Sequence, residues 1–276
     1  MNMQGTRTQN RDLSDFEKPP VVETVLSVQF EKLTAMQSLH LGLFGREMQE
    51  NFPRTEERVP LPPVIEQFSE ALPQGVRVQF EAVEAHSLPR LLLFNTAGTE
   101  LIQIQNDRFI RNWRKAEEQD RYPHYEPYIK PAFERDFQKF QAFLAEEKLG
   151  PLKINQCEVT YVNHIISGEG WQGLGNFGKV FSFWNELAAP LAHPEDFAIR
   201  VRFPIADKNG QRIGRLHVDV QPALRATDAH PMYVANLTAR GQLGAGFEFF
   251  DLGRQWIVKA FEKLTTRNMH LVWEKK

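Results

Sequence analysis

The chain has 276 residues, which is enough for one large domain or two modest ones. Its 33 Lys and Arg residues against 35 Asp and Glu residues give a formal net charge of -2, which argues against a surface devoted to nucleic acid. The single cysteine, Cys157, excludes an internal disulfide and a cysteine-rich zinc site, and this cysteine usage predicts a cytoplasmic protein.

The first half of the chain predicts a strand, a helix, three strands and a long helix. Residues 1–18 are polar and predict a flexible tail. Residues 21–30, VVETVLSVQF, alternate apolar and polar side chains, which is typical of a half-buried strand. After a helical pattern and a proline-rich connection, strands are predicted for GVRVQFEAVE, RLLLFN and ELIQIQNDRFIRNWR, and phenylalanines at helical spacing after Tyr125 predict the long helix.

The second half repeats this order of elements. A strand at 154–167, a helix at 176–190, three strands and a long helix from Gly246 to Thr265 are predicted, and the segment MHLVWE predicts a short final strand. The repetition predicts an α+β fold of two tandem units, residues 19–151 and 152–276, packed as one body. Each unit is expected to be a curved antiparallel sheet packed on a long helix, as in TATA-binding-protein-like or helix-grip folds.

One hairpin of the second half can be assigned to a register. The Asn-Gly pair at 209–210 predicts a two-residue type I′ turn, because both positions of that turn need a positive φ. The resulting register pairs Phe203 with Leu216 on an apolar face and Arg200 with Asp219 on a polar face. This alternation requires antiparallel pairing.

Several motifs that are associated with function have simpler structural interpretations. Residues 173–178, GLGNFG, match the dinucleotide-binding pattern, but the strand-turn-helix context is missing, so a loop that starts a helix is preferred. His217 and Asp219 share a strand face as two metal ligands would, yet their predicted neighbours are arginines. Glu23 and Glu158 occupy similar places in two strands and would suit a carboxylate pair, although salt bridges are the simpler account. We therefore predict no metal site and no cofactor.

Residues 105–115, QNDRFIRNWRK, combine aromatic and basic side chains. A tight turn at 106–107 places Phe109, Arg111 and Trp113 on one face of the following strand. An arginine held beside Trp and Tyr rings can bind an anionic head group. The alternative is a packed corner in which the arginine neutralises nearby glutamates. Both interpretations are open from the sequence.

Several segments resemble a family of bacterial proteins of similar length. The segments are PPVVETVLSVQF, IQIQNDRFIRNWRK, YPHYEPYIKPAF, CEVTYVNHI and DLGRQWIVKAFEKLTTRNMHLVWEKK, and their more specific elements are Asn-Trp-Arg, Tyr-Pro-x-Tyr and Tyr-x-Asn. The family is sporadically distributed and has no assigned biochemical activity, so the resemblance implies no catalytic residues. A sporadic distribution is typical of accessory genes, including antiphage defence and toxin–antitoxin cargo.

Together these observations predict a non-enzymatic sensor or binding protein that belongs to a bacterial antiphage system. It is expected to bind a protein partner or an apolar, lipid-like or small amphipathic ligand, whereas nucleic acid and a transmembrane segment are not expected. The residues predicted for the polar end of its site are Arg111, Trp113, Tyr122, Tyr125 and Asn163. One alternative is an enzyme that processes nucleotides or nucleic acid through the arginine-rich strand. Another is a structural interaction subunit of a toxin–antitoxin-like complex.

Overall fold

Nine antiparallel strands form one open sheet in the described part of the chain, which is therefore of the α+β class, as predicted. The computed structural model describes residues 13–67, 88–184, 194–207, 209–242 and 247–276. In chain order the strands are β1 (Val21–Phe30), β2 (Arg54–Arg58), β3 (Arg90–Phe94), β4 (Glu100–Gln105), β5 (Arg108–Arg114), β6 (Ile154–Ile166), β7 (Ile199–Ala206), β8 (Arg212–Leu224) and β9 (Pro231–Gly241). Their order in the sheet is β2-β3-β4-β5-β1-β6-β9-β8-β7.

The helices lie mainly on one face of this sheet. They are α1 (Ser38–Glu47), α2 (Lys130–Glu146), α3 (Glu248–Leu264) and α4 (Arg267–Val272), with a π-helical turn at Tyr125–Ile129 and a 3-10 turn at Leu174–Lys179. Phe109 of β5 packs against Phe133 and Phe137 of α2, and Phe133 also contacts Phe250 of α3, so both long helices share one aromatic core. None of the helices in the described ranges is long and apolar enough to cross a membrane.

The first strands of the two halves lie side by side at the centre of the sheet. β1 pairs with β6 in an antiparallel register that places Ser27 opposite Glu158 and Val28 opposite Cys157. On its other side β1 pairs with β5, and β6 pairs with β9. Hydrogen bonds therefore run without a break from the first half of the sheet to the second.

The predicted register of the β7–β8 hairpin is confirmed. Phe203 lies opposite Leu216, and Arg200 lies opposite Asp219, whose carboxylate accepts a 2.7 Å hydrogen bond from the arginine Nε. The prediction of a two-residue turn was wrong, because the register shifts after Ile205 and the turn is longer. The Phe109, Arg111 and Trp113 face of β5 is also confirmed by its pairing with β1 and β4.

The predicted final strand is a helix in the structure. Thr266 precedes α4, and its hydroxyl accepts a hydrogen bond from the Met269 amide, which caps the first turn. Met269 and Trp273 are buried whereas Leu271 between them is 79% exposed, which suits a helix, because all three side chains would share one face of a strand. Residues 1–12 of the predicted tail, the predicted strand at 75–84 and residues 185–190 of a predicted helix lie outside the described residues.

Candidate functional site

A cavity of about 60 Å³ lies between α3, the central strands and the segment that precedes β1. Its polar lining comes from the side chains of Ser14, Tyr122, His124, Tyr161, Asn163 and Arg254, together with Asp15, whose carboxylate is paired with Lys276. Its apolar lining comes from Phe16, Val21, Ile257 and Phe261. The combination of a charged group, several hydroxyl and amide groups and an apolar wall is typical of a site for an amphipathic ligand.

Among the residues that the structure describes, Arg254 is the one arginine that lines this cavity. In the described part of the chain, no carboxylate forms a salt bridge with its guanidinium group, and its Nε is buried without a hydrogen-bond partner. The guanidinium lies 5.0 Å from the centre of the Tyr125 ring. Burial lowers the pKa of Arg254, but Tyr161, Tyr122 and the Glu126 carboxylate outweigh burial and raise it overall. The cavity therefore contains a fixed positive charge that is surrounded mainly by phenol groups and forms no salt bridge among the described residues.

Two tyrosines join β6 to the loop before α2. The hydroxyl groups of Tyr122 and Tyr161 are 2.8 Å apart, and the Tyr122 ring packs edge-on against Trp113 with centroids 5.7 Å apart. Burial raises the pKa of both Tyr122 and Tyr161 above the ordinary value of a phenol. Both hydroxyl groups therefore remain protonated at neutral pH and can donate hydrogen bonds.

The backbone beside these tyrosines is strained. His124 has φ 62° and ψ 153°, a conformation that residues other than glycine rarely adopt. The π-helical turn Tyr125–Ile129 follows it directly, and such turns are frequent at functional sites. Tyr125 is held under Arg254 because its hydroxyl donates a 3.0 Å hydrogen bond to Asp251. The strain places Tyr122, His124 and Tyr125 around the same arginine.

Asn163 is buried at the end of the cavity formed by β6. Its Nδ2 donates a 3.0 Å hydrogen bond to the carbonyl oxygen of Ala235 on β9. That bond fixes the side-chain amide, so Asn163 lines the cavity in one orientation.

Of the five predicted site residues, Tyr122 and Asn163 line the cavity, whereas Trp113 and Tyr125 lie behind its lining and Arg111 belongs to a separate ion-pair cluster. Its Nε donates a 2.7 Å hydrogen bond to Asp136, and its Nη2 donates a 2.9 Å bond to Glu100. The side chains of Arg111 and Asp136 are each only 1% exposed. Burial lowers the pKa of Arg111, but the two carboxylates outweigh it and raise the pKa. Arg111 is thus fully paired and does not line the cavity.

Arg254 is not among the site residues predicted from the sequence, although a signal for it is present. Phe250, Ile257 and Phe261 form an apolar stripe on α3, and Arg254 occupies the position that completes the spacing of four, three and four residues. A charge in the middle of an apolar stripe is unfavourable unless something compensates for it. A charged residue within an apolar helical stripe is therefore the sequence signal by which Arg254 can be identified.

The segment before β1 forms one wall of the cavity and is fixed by the end of the chain. The Lys18 amide donates a 3.1 Å hydrogen bond to the Trp273 carbonyl oxygen, and the Lys276 amide donates a 2.8 Å bond to Asp15. Phe16 is buried between Phe261 and Trp273. The wall is thus built from a short segment held by one buried aromatic side chain, a few backbone bonds and mostly exposed polar contacts such as the ion pairs Lys18–Glu274 and Glu17–Lys276.

A second polar cluster lies on the outer face of the sheet, which is the face opposite the helices. The extended segment of residues 61–67, here called the strap, crosses this face. The carboxylate of Glu66 lies among Arg215, His217 and Arg240, with a 2.5 Å contact to His217 Nε2, and its side chain is 6% exposed. Burial raises the pKa of Glu66, but His217, Arg215 and Arg240 outweigh burial and lower it overall.

The lowered pKa of Glu66 predicts acid sensitivity of the strap. The contribution of Glu66 to stability should be complete above its unfolded pKa of 4.5 and should disappear as the pH falls through the lower folded pKa. We expect wild type to exceed Glu66→Gln by about 1–3 kcal/mol in free energy of unfolding near neutral pH, and the difference to shrink below about pH 4. Urea denaturation of both proteins across this range measures it. A difference that is independent of pH would contradict the assignment.

The other motifs have structural roles. Glu158 accepts a 2.5 Å hydrogen bond from Arg240, whereas Glu23 accepts one from Asn112. The register places Glu158 opposite Ser27 and therefore four residues along β1 from Glu23, so the two carboxylates do not form a pair. Among the described residues, no group of three or more His, Cys, Asp or Glu side chains is placed to hold a metal ion.

The glycine-rich segment and the cysteine are also explained by packing. A Cβ atom on Gly175 would lie 2.2 Å from the Pro194 carbonyl oxygen, so close packing requires glycine there. The segment forms a 3-10 turn rather than the start of a long helix. Burial raises the pKa of the Cys157 thiol to about 12, which makes it a poor nucleophile.

Comparison with protein-family models and with curated proteins found no match to this chain. The resemblance to a bacterial protein family, which rests on three short motifs, therefore stays a prediction. The motifs nevertheless meet around one site, because Trp113 packs on Tyr122, Tyr122 contacts the Tyr161 hydroxyl, and Tyr161 lies two residues before Asn163. The structure thus defines an α+β protein with one open sheet and a cavity lined by an arginine and tyrosines.

Proposed function

We propose that the protein is a non-enzymatic binding protein or sensor for a small amphipathic ligand that carries an anionic group. The observation that carries this proposal is Arg254, which lines the cavity, forms no salt bridge among the described residues and has a buried Nε without a hydrogen-bond partner. A partly buried charge without an ion pair is costly, and a bound carboxylate or phosphate would compensate for it. Because one hydroxyl of the Tyr122–Tyr161 pair donates to the other, the remaining phenol proton of the pair would donate a further hydrogen bond to the same anion.

The size of the cavity limits what it holds. A volume of 60 Å³ corresponds to about two water molecules and suits an anionic head group rather than a whole lipid. Any longer apolar portion would need the wall around Phe16 to move outward. Because that wall also contacts the last residues of the chain, ligand binding would change the exposure of the segment before β1 and of residues 273–276, which would give a sensor its output.

We also propose that the fold consists of two tandem units with a TATA-binding-protein-like plan. The order of strands supports it, because in each half the first strand lies at the centre and the last strand pairs with it. The remaining strands follow outward in reverse chain order, as β5-β4-β3-β2 on one side and β9-β8-β7 on the other. A long helix, α2 or α3, follows the last strand of each half.

A role in antiphage defence with a protein partner remains part of the proposal and rests on the family resemblance alone. Copurification from the native host, with the products of neighbouring genes as candidates, is its direct test. A purified complex that dissociates when the cavity ligand is added would connect this role to the site.

Replacement of Arg254 tests the binding function. We expect Arg254→Met to weaken binding of an anionic ligand by about 10- to 100-fold, because it removes charged hydrogen bonds while keeping an apolar stem of similar size. Arg254→Lys should retain part of the affinity. Titration calorimetry with straight-chain carboxylates and alkyl phosphates of increasing length measures the effect, alongside mass spectrometry of ligands extracted from the purified protein.

Arg267→Met is the matched control, because Arg267 lies on the exposed surface of α4. It should bind the same ligands as wild type. Equal affinity of wild type and Arg254→Met for every probe, with no ligand extracted from either, would reject the proposed site.

A further inference from the structure

The strap is bound to the outer face mainly by side chains of the sheet. Gln105 makes a pair of 2.9 Å hydrogen bonds with the backbone of Leu61, accepting from its amide and donating to its carbonyl oxygen. Gln29 accepts a 3.2 Å bond from the Val64 amide. The glutamine side chains thus bind the backbone of the strap, in the way that a protein binds an extended peptide.

A third glutamine continues this pattern. Gln156 donates a 2.5 Å hydrogen bond to the Val64 carbonyl oxygen and accepts a 2.9 Å bond from the Glu66 amide. Arg108 donates a 3.1 Å bond to the Pro62 carbonyl oxygen. The side chains that hold the strap thus come from β4, β5, β1 and β6, which are neighbours in the sheet.

The strap ends in a site for a carboxylate. Glu66 is the one strap residue whose side chain is almost completely buried, and its partners Arg215, His217 and Arg240 come from β8 and β9. In the sheet, β9 and β8 follow directly after β6, so the carboxylate site lies beside the strands that bind the backbone of the strap. The outer face therefore recognises an extended backbone followed by an acidic side chain.

The strap fits this face incompletely. Val64 and Ile65 are 41% and 50% exposed, so the strap contributes little apolar burial. A gap of about 70 Å³, lined in part by Val64, Arg108 and Arg240, lies beneath it. The Nε of Arg108 is buried without a hydrogen-bond partner, and burial lowers the pKa of this arginine. A segment with this fit can be displaced by a peptide that fills the gap.

We propose that the outer face is a docking surface for an extended acidic peptide of a partner protein, and that the strap occupies this surface until the partner displaces it. The surface lies on the face opposite the cavity, so the proposal does not depend on the ligand of Arg254. The partner segment is expected to supply backbone amides to the three glutamines and a carboxylate to the site of Glu66.

The contacts favour a peptide over a nucleic acid. Gln105, Gln29 and Gln156 each accept a hydrogen bond from a backbone N–H of the strap. A sugar-phosphate backbone has no N–H groups and would leave these buried acceptors unsatisfied.

The test uses the full chain and a fluorescent synthetic peptide with the sequence of residues 61–67, LPPVIEQ. In wild type the tethered strap competes at a high effective concentration, so the peptide should bind weakly. Glu66→Gln weakens the strap without changing the rest of the surface, and this protein should bind the peptide at least about tenfold more tightly than wild type does. The same peptide with Gln in place of Glu66 should not show this gain.

Second substitutions in the Glu66→Gln protein locate the peptide. Addition of His217→Gln, which affects the carboxylate site, or of Gln156→Leu, which affects backbone recognition, should each reduce the affinity by about tenfold. Addition of Arg200→Gln is the matched control, because Arg200 is an exposed outer-face residue that pairs with Asp219 and should have no effect. Circular dichroism of each variant verifies folding.

Three results would overturn the proposal. The first is equal peptide affinity of wild type and Glu66→Gln. The second is a gain that survives both His217→Gln and Gln156→Leu, which would place the peptide elsewhere. The third is dimer formation by the Glu66→Gln protein, or tighter binding of a mixed-sequence oligonucleotide than of the peptide, since the occupant would then be a second copy or a nucleic acid.

Discussion

Replacement of Arg111 by methionine should lower the free energy of unfolding by about 3–5 kcal/mol, because it leaves the buried carboxylate of Asp136 with an incomplete set of partners. Arg111 and Asp136 are each 1% exposed, and Glu100 is the second acceptor for the same guanidinium. Arg135 also donates to Asp136, but it is 56% exposed and its ion pair is screened by solvent. Urea denaturation followed by fluorescence and circular dichroism measures the loss.

A double variant separates the cost of an unpaired charge from the value of the pair. Arg111→Met combined with Asp136→Leu should recover much of the lost stability, because a buried ion pair can often be replaced by apolar side chains. Arg200→Gln is a suitable control, since its exposed pair with Asp219 should contribute about 1 kcal/mol or less. A loss below about 1 kcal/mol for Arg111→Met would mean that Asp136 is adequately satisfied by Arg135.

Replacement of Phe133 by alanine should also cost about 3–5 kcal/mol, through the loss of buried surface and the cavity that remains. Phe133 is completely buried and contacts Phe109 of β5, Phe137 of its own helix and Phe250 of α3. It therefore joins the helix of the first half to the helix of the second. Because the contact spans both halves, both should unfold together in a single transition at lower denaturant concentration.

The control for Phe133→Ala is Phe183→Ala, at a phenylalanine that is 38% exposed. It should cost clearly less, because the transfer free energy follows the area removed from water. Two separate transitions in the Phe133→Ala protein would show that the halves retain independent stability. A cost similar to that of Phe183→Ala would contradict the central position given to Phe133.

The parts of the fold that could be predicted from sequence are those determined by local alternation. The register of the β7–β8 hairpin and the shared face of Phe109, Arg111 and Trp113 follow from a period of two and a nearby turn. The turn itself was predicted less well, because a bulge after Ile205 lengthens it without changing the pairs further along.

The rest depends on contacts between residues that are distant in sequence. Nothing near Arg111 indicates that Asp136, on the following helix, is its partner, so the choice between an anion site and a packed corner stayed open. The segment MHLVWE has the composition of a strand, but capping by Thr266 makes it a helix. From the sequence, Arg254 can be recognised only as a charged residue within an apolar stripe. Its neighbours in the cavity are known only from the fold.

The pairing of β1 with β6 has a consequence for synthesis of the chain. While only the first half has left the ribosome, β1 has β5 on one side and no neighbour on the other. Its ten residues then present a row of unpaired N–H and C=O groups, on a strand that is buried along most of its length in the finished protein. The nascent chain is thus open to wrong strand pairing until β6 is made, and a chaperone or a pause in translation at this stage would affect yield more than stability.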